Sequence, residues 1–176
     1  MRLEIKHFSE IGSTNDYALT VIENGIITAN TAILADLQTN GRGRLNGRNW
    51  QSPIGNFYCS YVIDLAKLHI SRNKTNILTS YVMQILCDYL RTITNSTKVC
   101  IKQPNDILVR DKKLAGVLTE ISYPYAVIGI GINLINSPID RATNVFDEFN
   151  ILVKSMELVE TFYEFLVHEL RKCYKS

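Results

Sequence analysis

Between Gln38 and Trp50 the chain reads Gln38-Thr39-Asn40-Gly41-Arg42-Gly43-Arg44-Leu45-Asn46-Gly47-Arg48-Asn49-Trp50. Three arginines and three glycines stand together with no acidic side chain among them. Arginine forks are planar, permanently charged and matched to carboxylate or phosphate oxygens. Glycines let the backbone fold tightly and bring its N–H groups close to a ligand. The run therefore reads as a flexible clamp for a small anion.

Other segments collect polar residues at strand ends. Lys102-Gln103-Pro104-Asn105-Asp106 reads equally well as a functional cluster or as a turn that Asp106 merely caps. In Lys112-Lys113-Leu114-Ala115-Gly116, Lys113 and Gly116 alone suggest only the exposed start of a hairpin strand. Ser13 and Thr14 are helix caps by residue type, but a helix start also presents free N–H donors to carbonyl or anionic ligands. Gly129-Ile130-Gly131-Ile132-Asn133 puts glycines inside a strand, which weakens it unless something must approach closely. It lacks the third glycine and following helix of a dinucleotide fingerprint, and the glycine–arginine run lacks the Gly-Lys-Ser/Thr ending of a phosphate-binding loop. His7, His69 and His168 fall outside these clusters and read as surface or structural residues. Nucleophilic catalysis of the Ser–His or Cys–His kind, and a metal site of His and Cys, therefore have no support.

The elements that must position these residues follow from hydrophobic spacing. Strands are expected over 3–8, 31–37, 56–64, 98–102 and 126–133, with a hairpin of 107–109 and 113–121 turning at Arg110-Asp111-Lys112. Helical spacing follows the cap residues 12–16 and stops at Gly25. The strongest helix lies over 76–90, where Ile77, Leu78, Tyr81, Val82, Ile85, Leu86 and Tyr89 recur at three- and four-residue steps. A closing amphipathic helix covers 155–173. Short connections between most strands predict an α+β fold, with a mixed, mostly antiparallel central sheet flanked by helices.

With 176 residues, 46% of them apolar, the chain suffices for one core, so a single domain over 1–176 is expected. A net charge of +2 is too small for a general nucleic-acid binder. Cys59, Cys87, Cys100 and Cys173 are widely spaced without a CxxC pair, which predicts reduced thiols in the cytoplasm. No apolar run approaches the length of a membrane span, and the N-terminus lacks a signal-peptide core.

Gly12-Ser13-Thr14-Asn15, Gln38 to Arg44, Trp50 to Gly55, Lys102 to Asp106, Lys112 to Gly116 and Gly129 to Asn133 occur in that order. As a set they closely resemble the catalytic domain of biotin protein ligases, that is, biotin–[acetyl-CoA-carboxylase] ligases. The resemblance implies a class II synthetase-like fold and a two-step reaction. Biotin and ATP, with Mg2+, give biotinyl-5′-AMP and pyrophosphate; the acyl group then passes to a lysine of a biotin carboxyl carrier domain. By this resemblance Ser13, Thr14, Asn15, Gln38, Arg42, Gly43, Arg44, Lys113, Gly116, Gly129 and Gly131 bind biotin. Arg44, Trp50, Asn105, Asp106, Lys113 and Asn133 bind ATP or the adenylate. Arg44, Lys113 and Asp106 are the implied catalytic groups, Asp106 also helping to deprotonate the incoming lysine.

The implied partners are a carboxylase carrier domain and biotin, with no DNA and no membrane, in a monomer or homodimer. Two other readings share these residues: a lipoate or octanoate ligase or transferase, and a non-catalytic biotin- or adenylate-binding regulator. The chain departs from the family's pattern in three ways. Gln103 stands where the family has tryptophan, and one extra residue separates Arg44 from Trp50, which leaves the role of Arg48 open. A helix-turn-helix and a small C-terminal β domain are expected to be missing, leaving a minimal ligase, a weakened one or a truncated piece of one, without repressor function.

Overall fold

The computed structural model describes residues 3–26, 30–45 and 47–174; Asn46 of the glycine–arginine run lies outside them. Seven strands run in chain order: β1 (Glu4–Ile11), β2 (Thr31–Gln38), β3 (Phe57–Asp64), β4 (Val99–Lys102), β5 (Asp106–Val109), β6 (Lys112–Ser122) and β7 (Tyr125–Ile132). They form one sheet in the order β1-β2-β3-β7-β6-β5-β4. Only β1 and β2 pair in parallel; every other neighbouring pair is antiparallel. The expected mixed, largely antiparallel α+β sheet is the one observed. The exception arises because β1 and β2 are joined by a crossover helix, α1 (Thr14–Glu23), rather than a hairpin.

Helix α1 begins where Ser13 Oγ accepts the Asp16 N–H at 3.3 Å, and it ends at Asn24 before Gly25, whose φ is +68°. Its Ala18 and Val21 pack on Ile33, Val62 and Val127 of one sheet face. The other face carries the larger core. There α2 (Leu78–Thr94) and α4 (Ser155–Cys173) bury Val82, Leu86, Leu158, Phe162 and Leu166 against Leu34, Tyr61 and Ile128. The predicted helix over 76–90 is α2, shifted: a 3-10 turn over Arg72–Ile77 precedes it and leaves Ile77 exposed, and Asn95 ends it with φ +48°. A short helix, α3 (Val145–Phe149), had no counterpart in the sequence pattern.

Two features of the sheet aim the site. The β5–β6 hairpin turns through Arg110 and Asp111, both at positive φ, as a two-residue turn requires. Beyond it the register slips: Ile107 faces Ala115, but Leu108 faces Lys113, so Leu114 is an extra residue. Leu114 and Ala115 both enter the core at 0% exposure. The bulge thereby turns Lys113 onto the α1 face, beside Gly116 and Asp106, where strict alternation would have pointed it into the core.

Candidate active site

A cavity of about 320 Å³ opens on the α1 face of the sheet. Its walls include Ser13, Thr14, Asn15, Gln38, Arg42, Gly43, Arg44, Trp50, Asn105, Asp106, Lys113, Gly116, Gly129 and Gly131, so the structure gathers all but one of the site residues read from the sequence. Asn133 is the exception. It is buried behind Lys113, where its Nδ2 donates to the carbonyls of Lys113 at 3.2 Å and Thr143 at 3.0 Å. Its Oδ1 is buried with no hydrogen-bond partner among the described residues.

The glycine–arginine run is more ordered than a free loop. Trp50 N–H donates to Gly41 O at 2.8 Å, Gly43 N–H donates to Arg48 O at 2.7 Å, and Arg42 bridges Asn49, so residues 41–43 and 48–50 pair as a short ladder. A Cβ on Gly41 would stand 2.5 Å from Trp50 O, and one on Gly43 2.9 Å from Arg48 O. These two glycines let the arms of the lid touch.

The glycines of β6 and β7 have a different partner. Gly116 and Gly131 face each other in the ladder, and the Trp50 indole lies over both. A Cβ would come within 2.5 Å of Trp50 Cε2 at residue 131 and 2.9 Å of Cζ3 at residue 116. Gly129, one step along the same face, leaves room for the Asn15 side chain, whose Oδ1 an added Cβ would overlap. The glycines that weaken a strand thus form a flat floor for two side chains.

Polar groups line the wall at α1. Thr14 N–H and Oγ1 both donate to Gln38 Oε1, at 2.9 and 3.1 Å, and Gln38 Nε2 donates to Ser52 Oγ at 3.0 Å. Ser60 Oγ lies 2.7 Å from Thr14 Oγ1 and 2.5 Å from Asn15 Oδ1, and its single proton serves one of them. Asn105 braces its own turn, donating to Val117 O at 3.1 Å while its carbonyl accepts the Val117 N–H at 3.0 Å.

The charges divide into paired and unpaired. Lys113 Nζ lies 2.7 Å from Asp106 Oδ1 and 4.8 Å from the centre of the Trp50 ring. Arg42 Nη2 donates to Glu120 Oε2 at 2.6 Å, and its Nε lies 2.7 Å from Asp16 Oδ1. Burial opposes the Arg42 charge, but Glu120 and Asp16 outweigh it and hold its pKa above the ordinary value. Arg44, Arg48 and Lys102 also line the cavity, and no carboxylate pairs with them among the described residues. They are the cations left for an anionic ligand. No group of three His, Cys, Asp or Glu side chains suited to a metal occurs among the described residues.

Sequence reasoning missed Glu120, Asp16, Ser52 and Ser60. Glu120 had a signal: it falls in the inward phase of β6 with Gly116 and Leu118, where an unpaired charge is costly. Ser60 had none, because a small polar residue in a buried strand announces no partner.

The site can hold a molecule with an uncharged polar head, an apolar middle and an anionic end. The profile of the biotin/lipoate A/B protein ligase family matches residues 8–133. Over 130 residues the chain is 37% identical to the bifunctional ligase/repressor BirA of Escherichia coli, covering 70% of this chain and 38% of that protein. It thus spans less than half the length of that relative. Among solved structures, the biotin protein ligase of Aquifex aeolicus in complex with biotin and ATP superposes with a TM-score of 0.81 at 28% identity, covering 98% of this chain and 72% of that one. The biotin protein ligase of Leishmania major in complex with biotinyl-5-AMP gives 0.84 at 25% identity, covering 98% and 76%.

Proposed function

The chain belongs to the biotin/lipoate A/B protein ligase family, and from that premise we propose that it is an ATP-dependent biotin protein ligase. The observation that carries the reading is the order of chemistry across the cavity: the Thr14–Gln38 wall, the indole on its glycine floor, and then the Lys113–Asp106 pair with Arg44, Arg48 and Lys102, which no carboxylate pairs among the described residues. A cyclic urea head would exchange hydrogen bonds with Ser13, Thr14 and Gln38, the apolar ring fused to it would lie on Trp50, and the carboxylate would reach Lys113.

In the first step the biotin carboxylate oxygen attacks the α-phosphorus of ATP, and the bond to pyrophosphate breaks. Two anions must meet, so cations that hold both in place lower the barrier. Lys113 is assigned to the carboxylate and the α-phosphate. Asp106 orients its ammonium without neutralising the rest of the site, because Arg44, Arg48 and Lys102 remain for the phosphates. A charge-assisted hydrogen bond is worth about 1.5–3 kcal/mol, so loss of Lys113 or Arg44 should outweigh loss of any capping residue. Mg2+ fits as a passenger on the nucleotide. Asp106 is the carboxylate that would help hold it, and the ion would offset charge on the phosphates. In the second step the carrier lysine amine attacks the acyl carbon, AMP leaves, and the amine proton is taken up, for which the free Oδ2 of Asp106 is the available acceptor.

The test is incubation of the protein with ATP, Mg2+, labelled biotin and a carrier domain. Label on the carrier lysine, with AMP released, is the expected result. Transfer of lipoate or octanoate alone would replace the reading with that of a family cousin. Tight biotin binding without adenylate formation would make the protein a regulator.

A further inference from the structure

Starting at the lid, polar contacts run around the head-group wall and return to the lid, the single Ser60 proton serving either Thr14 or Asn15. Ser52 Oγ donates to Trp50 O at 3.2 Å and accepts from Gln38 Nε2. Gln38 Oε1 accepts from Thr14, Thr14 meets Ser60, and Ser60 meets Asn15. Asn15 Nδ2 then donates to Glu120 Oε2 at 2.7 Å, the same oxygen that accepts from Arg42 Nη2 at 2.6 Å. Both ends of this ring, Arg42 and Trp50, belong to the lid. Glu120 is the one charged member of the ring outside the lid, and it lies behind the cavity rather than in it.

We propose that Glu120 is a positioning residue that fixes the lid to the head-group wall through Arg42 and Asn15; the inference rests on the ligase reading for its kinetic arm. Two donors converge on one carboxylate oxygen, so the docked lid and the geometry of Asn15 share a single anchor. Asp16 also supports Arg42, its Oδ1 lying 2.7 Å from Nε, but it does less than Glu120 to hold the Arg42 charge. The arrangement also commits Arg42 to the protein, which leaves Arg44 and Arg48 as the lid's ligand-facing cations.

The test compares Glu120→Gln and Asp16→Asn with the unaltered protein. Glutamine keeps an acceptor oxygen but drops the charge, so the Arg42 bond loses its ion pairing and the Asn15 bond becomes a neutral one, about half as strong. Limited trypsin digestion without ligands should cut at Arg44 and Arg48 about tenfold faster in Glu120→Gln. In Asp16→Asn the acceleration should be smaller, about two- to threefold. In the adenylation assay, KM for biotin should rise about tenfold in Glu120→Gln with kcat within twofold. Unchanged lid cleavage in a Glu120→Gln protein of normal melting temperature overturns the proposal. So does a fall in kcat at constant KM, which would put Glu120 in the chemistry. Should Glu120→Gln unfold, Arg42→Gln decides from the other end of the same bond: no acceleration of lid cleavage at Arg44 and Arg48 overturns the anchor. Unaltered protein that makes no biotinyl-adenylate would sink the ligase reading, while the ligand-free digestion would still judge the anchor.

Discussion

Replacing Gly131 with alanine tests the claim that the strand glycines exist for Trp50. The added Cβ would lie 2.5 Å from Trp50 Cε2 and 2.6 Å from Cζ2. Relaxed carbon contacts sit at about 3.5–4.0 Å, so the indole must retreat by about 1 Å. Overpacking of this kind costs roughly 1–3 kcal/mol, and removing a glycine from a strand returns roughly 0.5–1 kcal/mol. A net destabilisation of about 1 kcal/mol follows. Catalysis should suffer more, because a 1 Å misplacement of a positioning group can cost up to about 100-fold. Trp50 is the only tryptophan of the chain, so intrinsic fluorescence reports on it alone. Gly131→Ala should shift emission to longer wavelength, increase quenching by acrylamide and lower kcat/KM for biotin about 10- to 100-fold. In a Trp50→Ala background the same change should cost nothing and should stabilise the protein slightly. Wild-type emission and quenching in Gly131→Ala would refute the reasoning. An equal loss of stability in both backgrounds would refute it too.

Two further outcomes concern the supports of the site. Asn133→Ala leaves the carbonyls of Lys113 and Thr143 without that donor, so denaturant unfolding should show a loss of about 1–3 kcal/mol; unchanged stability would mean that the carbonyls find other donors. Burial pushes the Cys59 and Cys87 thiols up, which suppresses their thiolates at mildly alkaline pH, whereas Cys100 is exposed. A charged disulfide reagent at about pH 8 should therefore modify Cys100 first and reach Cys59 only on unfolding. Modification of Cys59 in the folded protein at the rate of Cys100 would contradict the burial.

Local chemistry made much of this protein legible in its sequence. Cap residues at 13–16, Gly25, and the three- and four-step spacing around 78–90 announce helices because they satisfy local hydrogen bonding and burial. The apolar runs of β2, β3 and β7 announce buried strands for the same reason. The ordered set of motifs named a family and gathered the cavity residues, Asn133 apart. Alternation alone would have buried Lys113, and only the extra residue at Leu114 turns it toward Asp106. That slip is a property of strand pairing, which no local pattern encodes. Residues 134–154 carried no periodic signal because non-local side-chain bonds hold part of that segment: Asn56 Oδ1 accepts the N–H groups of Leu134, Ile135 and Asn136.

Residue types said that glycines and arginines would meet an anion; tertiary structure divided the work among them. Gly41 and Gly43 close the lid on itself, and Gly116 and Gly131 carry the indole. Arg42 is bound to Glu120 and Asp16, while Arg44 and Arg48 stay unpaired among the described residues. Sequence fixes which side chains have charge or none, but whether a charge is already neutralised depends on distances of a few ångströms between strands far apart in the chain.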